Sequence, residues 1–278
     1  MPLAATTDLL ISASTDGRGL GAFNVVQLEH AEALVDAAER SGAPVVLQIS
    51  QNCVRYHGAL EPIGVATLAL ARRATVPVAV HLDHAESTEL VGEAVALGFS
   101  SVMFDGSKLP FADNVRETAE VVRRCHDAGL GVEAELGEVG GKDGVHAPGA
   151  RTDPAEAADF VRATGVDALA VAVGTSHAML TRDAALDLDL IARLHAAVPV
   201  PLVLHGSSGV PDEELTRAVA AGMTKVNIAT HLNGVFTAAL REYLAGHPSV
   251  VDPRRYVAAG REALAEEAAR LLGVLRAG

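Results

Sequence analysis

The residues best equipped for chemistry are the run His81-Leu82-Asp83-His84 and two later histidines, His177 and His205. A carboxylate can move a proton, and a neutral imidazole can hold a metal. Three imidazoles, from His84, His177 and His205, with a fourth position left open would make a catalytic zinc centre. A metal that polarises a carbonyl acidifies the neighbouring C–H, and Asp83 within reach would take that proton as general base. Adjacent residues leaving a strand point differently, so only one of Asp83 and His84 need meet the metal. Asp83 has a competing structural role as N-cap of a helix over Glu86–Leu97, where Ser87 is the rival cap.

Two further acids follow apolar runs. Glu135 closes Glu133-Ala134-Glu135, and alternation puts both glutamates on one side. Asp105 closes the run Met103-Phe104-Asp105. Each would serve as partner to a histidine or as an alternative metal ligand, and Asp105 suits plain loop capping equally well. Gly206-Ser207-Ser208-Gly209 and Asn227-Ile228-Ala229-Thr230 offer backbone N–H and hydroxyl donors of the kind that hold a phosphate. His57, His126, His195 and His247 fall in helical or loop stretches and read as surface residues.

These groups need a scaffold that brings them to one face. Apolar, β-favouring runs recur at Gly21–Val25, Pro44–Ile49, Val76–His81, Ser100–Phe104, Gly131–Glu135, Ala168–Val173, Pro201–His205 and Thr224–Ile228. Helical periodicity fills the gaps, as in Leu28–Ser41 and Asn114–Ala128, and Gly42, Gly98, Gly129, Gly165 and Gly222 stand where helices end. Eight βα units in about 250 residues match a closed (β/α)8 barrel of the TIM type, with a doubly wound sheet as the alternative. On a barrel, His84, His177 and His205 all follow strands and converge at the C-terminal mouth, and the turns after strands seven and eight are a common phosphate site. Glu262–Leu275 reads as a helical extension outside the barrel, and residues 1–278 read as one domain. The irregular, Gly-rich stretch Gly137–Arg151 is a candidate lid.

Bulk composition narrows the partners. With 22 basic and 35 acidic residues the net charge is −13, which argues against nucleic acid. No apolar run approaches the roughly 20 residues of a membrane span, and no signal peptide is evident. Two cysteines, Cys53 and Cys125, fit a reducing cytoplasm. From the residues alone, the expectation is a metal-dependent enzyme acting on a small phosphorylated carbonyl compound. Such an enzyme would isomerise its substrate or make and break a carbon–carbon bond through an enediolate.

The chain also resembles the class II, metal-dependent ketose-bisphosphate aldolases. The resemblance runs through Ala22-Phe23-Asn24-Val25, His81 to Ser87, Ser101 to Ser107, Glu133 to Gly137 with Gly140-Gly141, Gly174-Thr175-Ser176-His177, His205 to Gly209, Lys225 to Thr230, and Asp252-Pro253-Arg254. It implies catalytic Zn2+ on His84, His177 and His205, an alternative metal position with Asp105 and Glu135, and Asp83 as the acid–base group. It implies a dihydroxyacetone-phosphate site at Gly206, Ser207, Ser208, Asn227, Ile228, Ala229 and Thr230, with Asn24 a further substrate contact. Ser50 and Arg254 would contact the second phosphate, the arginine from a neighbouring subunit of a homodimer or homotetramer, and a monovalent cation (Na+ or K+) would sit near the phosphate.

Fructose 1,6-bisphosphate is the default substrate implied, tagatose 1,6-bisphosphate the next, with dihydroxyacetone phosphate and glyceraldehyde 3-phosphate as products. Several positions depart from the family pattern. Ala178 replaces a Gly where backbone nears the phosphate or the monovalent ion. Lys142 replaces an acid in the mobile loop, which leaves Asp143 or Glu138 to aid proton transfer. Gln27 replaces a common Asn, and Ser50-Gln51-Asn52-Cys53 a small-residue turn. Two rivals share the residues: a metal-dependent sugar-phosphate isomerase or epimerase, and a non-catalytic barrel that binds a sugar phosphate.

Overall fold

The structure, a computed structural model, describes residues 3–136, 151–175 and 181–276. Its eight strands form a closed parallel barrel in sequential order. They are β1 (Leu20–Asn24), β2 (Val45–Ser50), β3 (Val78–Ala85), β4 (Ser101–Phe104), β5 (Gly131–Leu136), β6 (Ala168–Val171), β7 (Leu202–Leu204) and β8 (Met223–Ile228). Closure comes from β1 pairing with β8, Leu20 against Lys225. The doubly wound alternative is therefore excluded.

Helix α1 (Thr6–Thr15) precedes β1 and lies across the N-terminal end of the barrel, where Leu10 packs on the inward residues Leu20, Ala22, Val46, Ala79, Ala168, Ala170 and Val203. This small apolar layer plugs the bottom. A larger apolar shell joins the outer faces of the strands to α2 (Leu28–Ser41), α3 (Gln51–His57), α4 (Glu61–Arg73), α5 (Thr88–Leu97), α6 (Phe111–Asp127), α7 (Pro154–Thr164), α8 (Leu188–Ala197), α9 (Asp212–Ala220), α10 (Thr230–Gly246) and α11 (Pro253–Arg276). Helix α2 has the bounds its periodicity predicts, and Gly42 ends it in the left-handed region at φ 56°. The C-terminal extension is longer than expected: α11 starts at Pro253, whose fixed φ suits a first helical turn, and packs on α2 and α10.

The one departure that matters for chemistry is in β3. Its strand does not stop at His81 but runs to Ala85. Leu82 pairs with Val102 and Ala85 with Phe104, so three steps on β3 face two on β4. The extra residue is a β-bulge, and His84 within it has φ 51°, a conformation a residue with a Cβ adopts at a cost of order 1–3 kcal/mol. The capping alternative for Asp83 is also corrected: Ser87 caps α5, its Oγ accepting from Leu90 N at 3.2 Å.

Buried His30 on α2 supports the fold from outside the barrel. Its Nδ1 accepts from Val26 N at 3.3 Å, and its ring meets Phe236 edge-on at 4.9 Å. Burial lowers its pKa from 6.5 to about 4. In that interval the unfolded chain holds a proton at His30 that the folded chain rejects. This part of the stability is therefore full above pH 6.5 and is lost as pH falls through that interval to about 4. His30→Gln is expected to flatten the acid limb. Wild type should lose about 3 kcal/mol more than the variant between neutral pH and pH 4 in urea unfolding. Parallel curves would refute the assignment.

Candidate active site

The C-terminal ends of the strands enclose a polar pocket lined by Asn24 and Ser50, Gln48, Asp83 and His84, and by Gly206, Ser208, Asn227, Ala229 and Thr230. The bulge in β3 turns both Asp83 and His84 toward it. Ligand atoms of Asp83, His84 and His205 lie within 4.8 Å of one another, and so do those of His84, Asp105 and Glu135. The two sets share His84, whose Nδ1 is 2.8 Å from Asp105 Oδ2. Asp105 is itself oriented by Ser107, whose Oγ donates at 2.6 Å.

Beneath the pocket the barrel holds a buried ionic layer. His205 is fully buried, with Nδ1 3.1 Å from Glu135 Oε2 and Nε2 2.9 Å from Glu133 Oε1. Lys225, equally buried, donates to Glu133 Oε2 at 2.7 Å. His81 Nδ1 is bonded to Ser101 Oγ at 2.7 Å, and Ser101 donates on to Thr6 of α1 at 2.6 Å. Burial would lower the His205 pKa, but the Glu133 and Glu135 carboxylates outweigh it and raise it to about 9. Proton and metal cation thus compete for one imidazole. For Asp83, burial favours the protonated form, but His84, His205, Lys225 and His81 outweigh it and hold the carboxyl below its ordinary range.

Asp83 is also held from the side. Gln48 Nε2 donates to Asn24 Oδ1 at 2.8 Å, and Asn24 Nδ2 donates to Asp83 Oδ2 at 3.2 Å. The other oxygen, Asp83 Oδ1, has no hydrogen-bond partner among the described residues, and neither do Gln48 Oε1 and Asn227 Oδ1. Unpaired buried polar atoms are costly, so three converging on one pocket indicate a polar occupant. The oxygen and imidazole donors fit a divalent cation such as zinc.

A family profile described as fructose-bisphosphate aldolase class-II matches residues 4–278. The chain belongs to the class II fructose-bisphosphate aldolase family. It is 40% identical over 268 residues to the fructose-bisphosphate aldolase of Geobacillus stearothermophilus, covering 95% of this chain and 93% of that one. It is 38% identical over 270 residues to that of Staphylococcus epidermidis, covering 96% and 94%. Among solved structures it is similar to the YdjI aldolase from Escherichia coli K12, with TM-score 0.88, 32% identity, and 98% and 97% of the two chains covered. This class II aldolase is therefore a carbon–carbon lyase of the metal-dependent kind, acting on a phosphorylated sugar as a ketose-bisphosphate aldolase.

In this aldolase several expected groups meet in one place and others do not. Asp83, His84, Asp105, Glu135 and His205 come together, and the bulge brings Asp83 and His84 to the same pocket. Ser208 lines the pocket and its Oγ accepts from Ala229 N at 3.3 Å, but Ser207 is buried and donates to Leu204 O at 3.0 Å, so its hydroxyl is turned to the strand end. The Ile228 side chain belongs to the apolar shell. Thr230 opens α10, so that helix directs its N-terminus at the pocket. Ser50 lines the rim while capping α3 through Cys53 N at 3.2 Å.

Arg254 sits at the exposed start of α11, paired with Asp252, and is not among the pocket lining of its own chain. His177, Ala178, Glu138, Lys142 and Asp143 lie outside the described residues. Sequence reasoning gave no supporting role to Gln48, His81 or Lys225, and it put Glu133 on one side with Glu135 without seeing its bonds to His205 and Lys225. Their signal is a charged or polar side chain at an inward position of an otherwise apolar strand.

Proposed function

We propose that this aldolase cleaves fructose 1,6-bisphosphate, with tagatose 1,6-bisphosphate next in preference, to dihydroxyacetone phosphate and glyceraldehyde 3-phosphate, and that Asp83 moves the proton at carbon. The observation that carries this reading is the ionised Asp83, whose Oδ1 has no partner among the described residues, facing the pocket beside His84 and His205. In the reading, His84, His177 and His205 hold Zn2+, and Asp105 and Glu135 offer it a second position. Bound there, zinc supplies Lewis acidity to the carbonyl and hydroxyl oxygens of the substrate. Asn24 and Gln48 orient the Asp83 carboxylate. Gly206, Ser208, Asn227, Ala229 and Thr230 receive the phosphate of the dihydroxyacetone half through N–H and hydroxyl donors, aided by the α10 N-terminus. Ser207 and Ile228 contribute through their backbone.

At the aldehyde end, Ser50 and the Arg254 of a second copy take the other phosphate, which makes a homodimer or homotetramer the working unit. Asp143 or Glu138 aids proton transfer in place of the acid that Lys142 replaces, and Na+ or K+ accompanies the phosphate. The chain acts as one domain in the cytoplasm, and none of its described helices is long and apolar enough to cross a membrane.

A coupled cleavage assay tests the reading. Dihydroxyacetone phosphate is expected from fructose 1,6-bisphosphate at a higher kcat/KM than from tagatose 1,6-bisphosphate. Release should stop with chelator and return with added zinc. Full turnover in chelator, or no cleavage of either sugar by protein that holds zinc, would overturn it.

A further inference from the structure

The strand-seven turn that presents Gly206 and Ser208 is not held by its own residues alone. The turn Ser207–Gly209 is closed by Val210 N on Ser207 O at 3.0 Å and tied to β8 through Ser208. Residues 181–187, which return the chain from β6 toward α8, lie against it. Ala184 N donates to Gly209 O at 3.0 Å, and Asp187 N donates back to Val173 O at 3.0 Å. The approach is tight: a Cβ on Gly174 would come within 2.8 Å of Ala185 O, and Gly174 has φ 117°. Thr175 Oγ1 donates to His205 O at 2.7 Å, fastening the same segment to the root of the turn.

That bond belongs to the residues just after β6, and within residues 181–187 Arg182 is the charged clasp. Its Nε and Nη2 both donate to Val210 O, at 3.0 and 2.6 Å, and Nη2 also donates to Asp212 Oδ1 at 2.6 Å. A planar guanidinium can grip one carbonyl and a carboxylate together, and a lysine cannot reproduce that fork. The grip falls at Val210, one residue past the turn, and at Asp212 in the first turn of α9. Asp212 has a second cation, Arg270 of α11, on its exposed side. The two arginines therefore share a carboxylate, and of the two Arg182 is the one bonded to Val210, next to the turn.

We propose that Arg182 is a positioning residue for phosphate binding: it locks the turn after β7 against the β6–α8 strap and so holds Gly206 and Ser208 at the pocket wall. The inference rests on the aldolase-site reading above. Small displacements of positioning groups produce large losses in binding and rate.

The test measures dihydroxyacetone phosphate affinity by calorimetry, KM and kcat for fructose 1,6-bisphosphate, and Tm, on the zinc-loaded full chain. Arg182→Ala is expected to raise Kd and KM roughly tenfold, a shift of about 1.4 kcal/mol, with a smaller change in kcat. Arg182→Lys should fall between it and wild type. Arg270→Ala, which removes the other partner of Asp212, should lower Tm with Kd and KM within twofold. Unchanged Kd in Arg182→Ala, or an equal rise in Arg270→Ala, overturns the inference. If Arg182→Ala does not fold, Arg182→Lys decides, and wild-type affinity in it is the overturning result. Wild-type protein that binds no dihydroxyacetone phosphate sinks the site reading and this inference together. Normal wild-type binding with unaltered variants sinks the inference alone.

Discussion

Asp83→Asn is expected to lower kcat for ketose-bisphosphate cleavage by roughly 10²–10⁴-fold, the range a positioned acid–base group contributes. The substitution is nearly isosteric, and an amide oxygen can still accept from Asn24 Nδ2. What disappears is the anionic oxygen that faces the pocket with no partner among the described residues. Substrate binding should change far less than kcat, because the residues proposed to receive phosphate, in the turn after β7, on β8 and at the start of α10, are untouched. Metal content, measured alongside, separates two roles for this side chain. Asp83 lies in one ligand-atom cluster with His84 and His205. Retained metal with lost turnover identifies the proton-moving role. Lost metal would make Asp83 a ligand, and wild-type kcat with metal bound would remove it from the chemistry altogether.

The second large effect concerns the layer beneath the metal site. Glu133→Gln is expected to destabilise the fold by about 3–5 kcal/mol and to weaken zinc binding by roughly 10–100-fold. The stability loss arises because Lys225, fully buried, gives its 2.7 Å bond to Glu133 and would keep a charge without its carboxylate. The affinity loss arises because Glu133 orients His205 from behind, at 2.9 Å from Nε2, leaving Nδ1 toward Glu135 and the pocket. The two effects can be separated by Lys225→Met in the Glu133→Gln background. The double variant should recover much of the stability, since a buried ion pair is often replaceable by apolar packing, and none of the zinc affinity. Denaturant unfolding and competitive metal titration read the two quantities. Equal stability of single and double variants would mean that Lys225 does not depend on Glu133.

Much of this was legible along the chain. The spacing of apolar runs between amphipathic segments implied eight βα units, because burial on both faces of a parallel strand demands continuous apolar residues. The bounds of α2 follow from one apolar stripe and a glycine that can take positive φ. Asp83, His84, Asp105, Glu135 and His205 stood out because charged and imidazole groups rarely close an apolar strand without a task.

The amino-acid sequence by itself determined which residues are apolar, where helices and strands alternate, and which side chains are able to bind a metal or move a proton. Only the tertiary structure decided which of them meet. The bulge that turns Asp83 and His84 to one pocket exists in the pairing of β3 with β4, not in β3 alone. Glu133, Lys225 and His205 come from three strands, and their bonds depend on the register of a closed barrel. The choice of Ser208 over Ser207 at the pocket wall rests on contacts with two strand ends, Ser207 Oγ donating to Leu204 O and Ser208 Oγ accepting from Ala229 N. Local periodicity follows from backbone geometry within a few residues. Convergence depends on contacts between residues far apart in the chain, and no single segment carries that information.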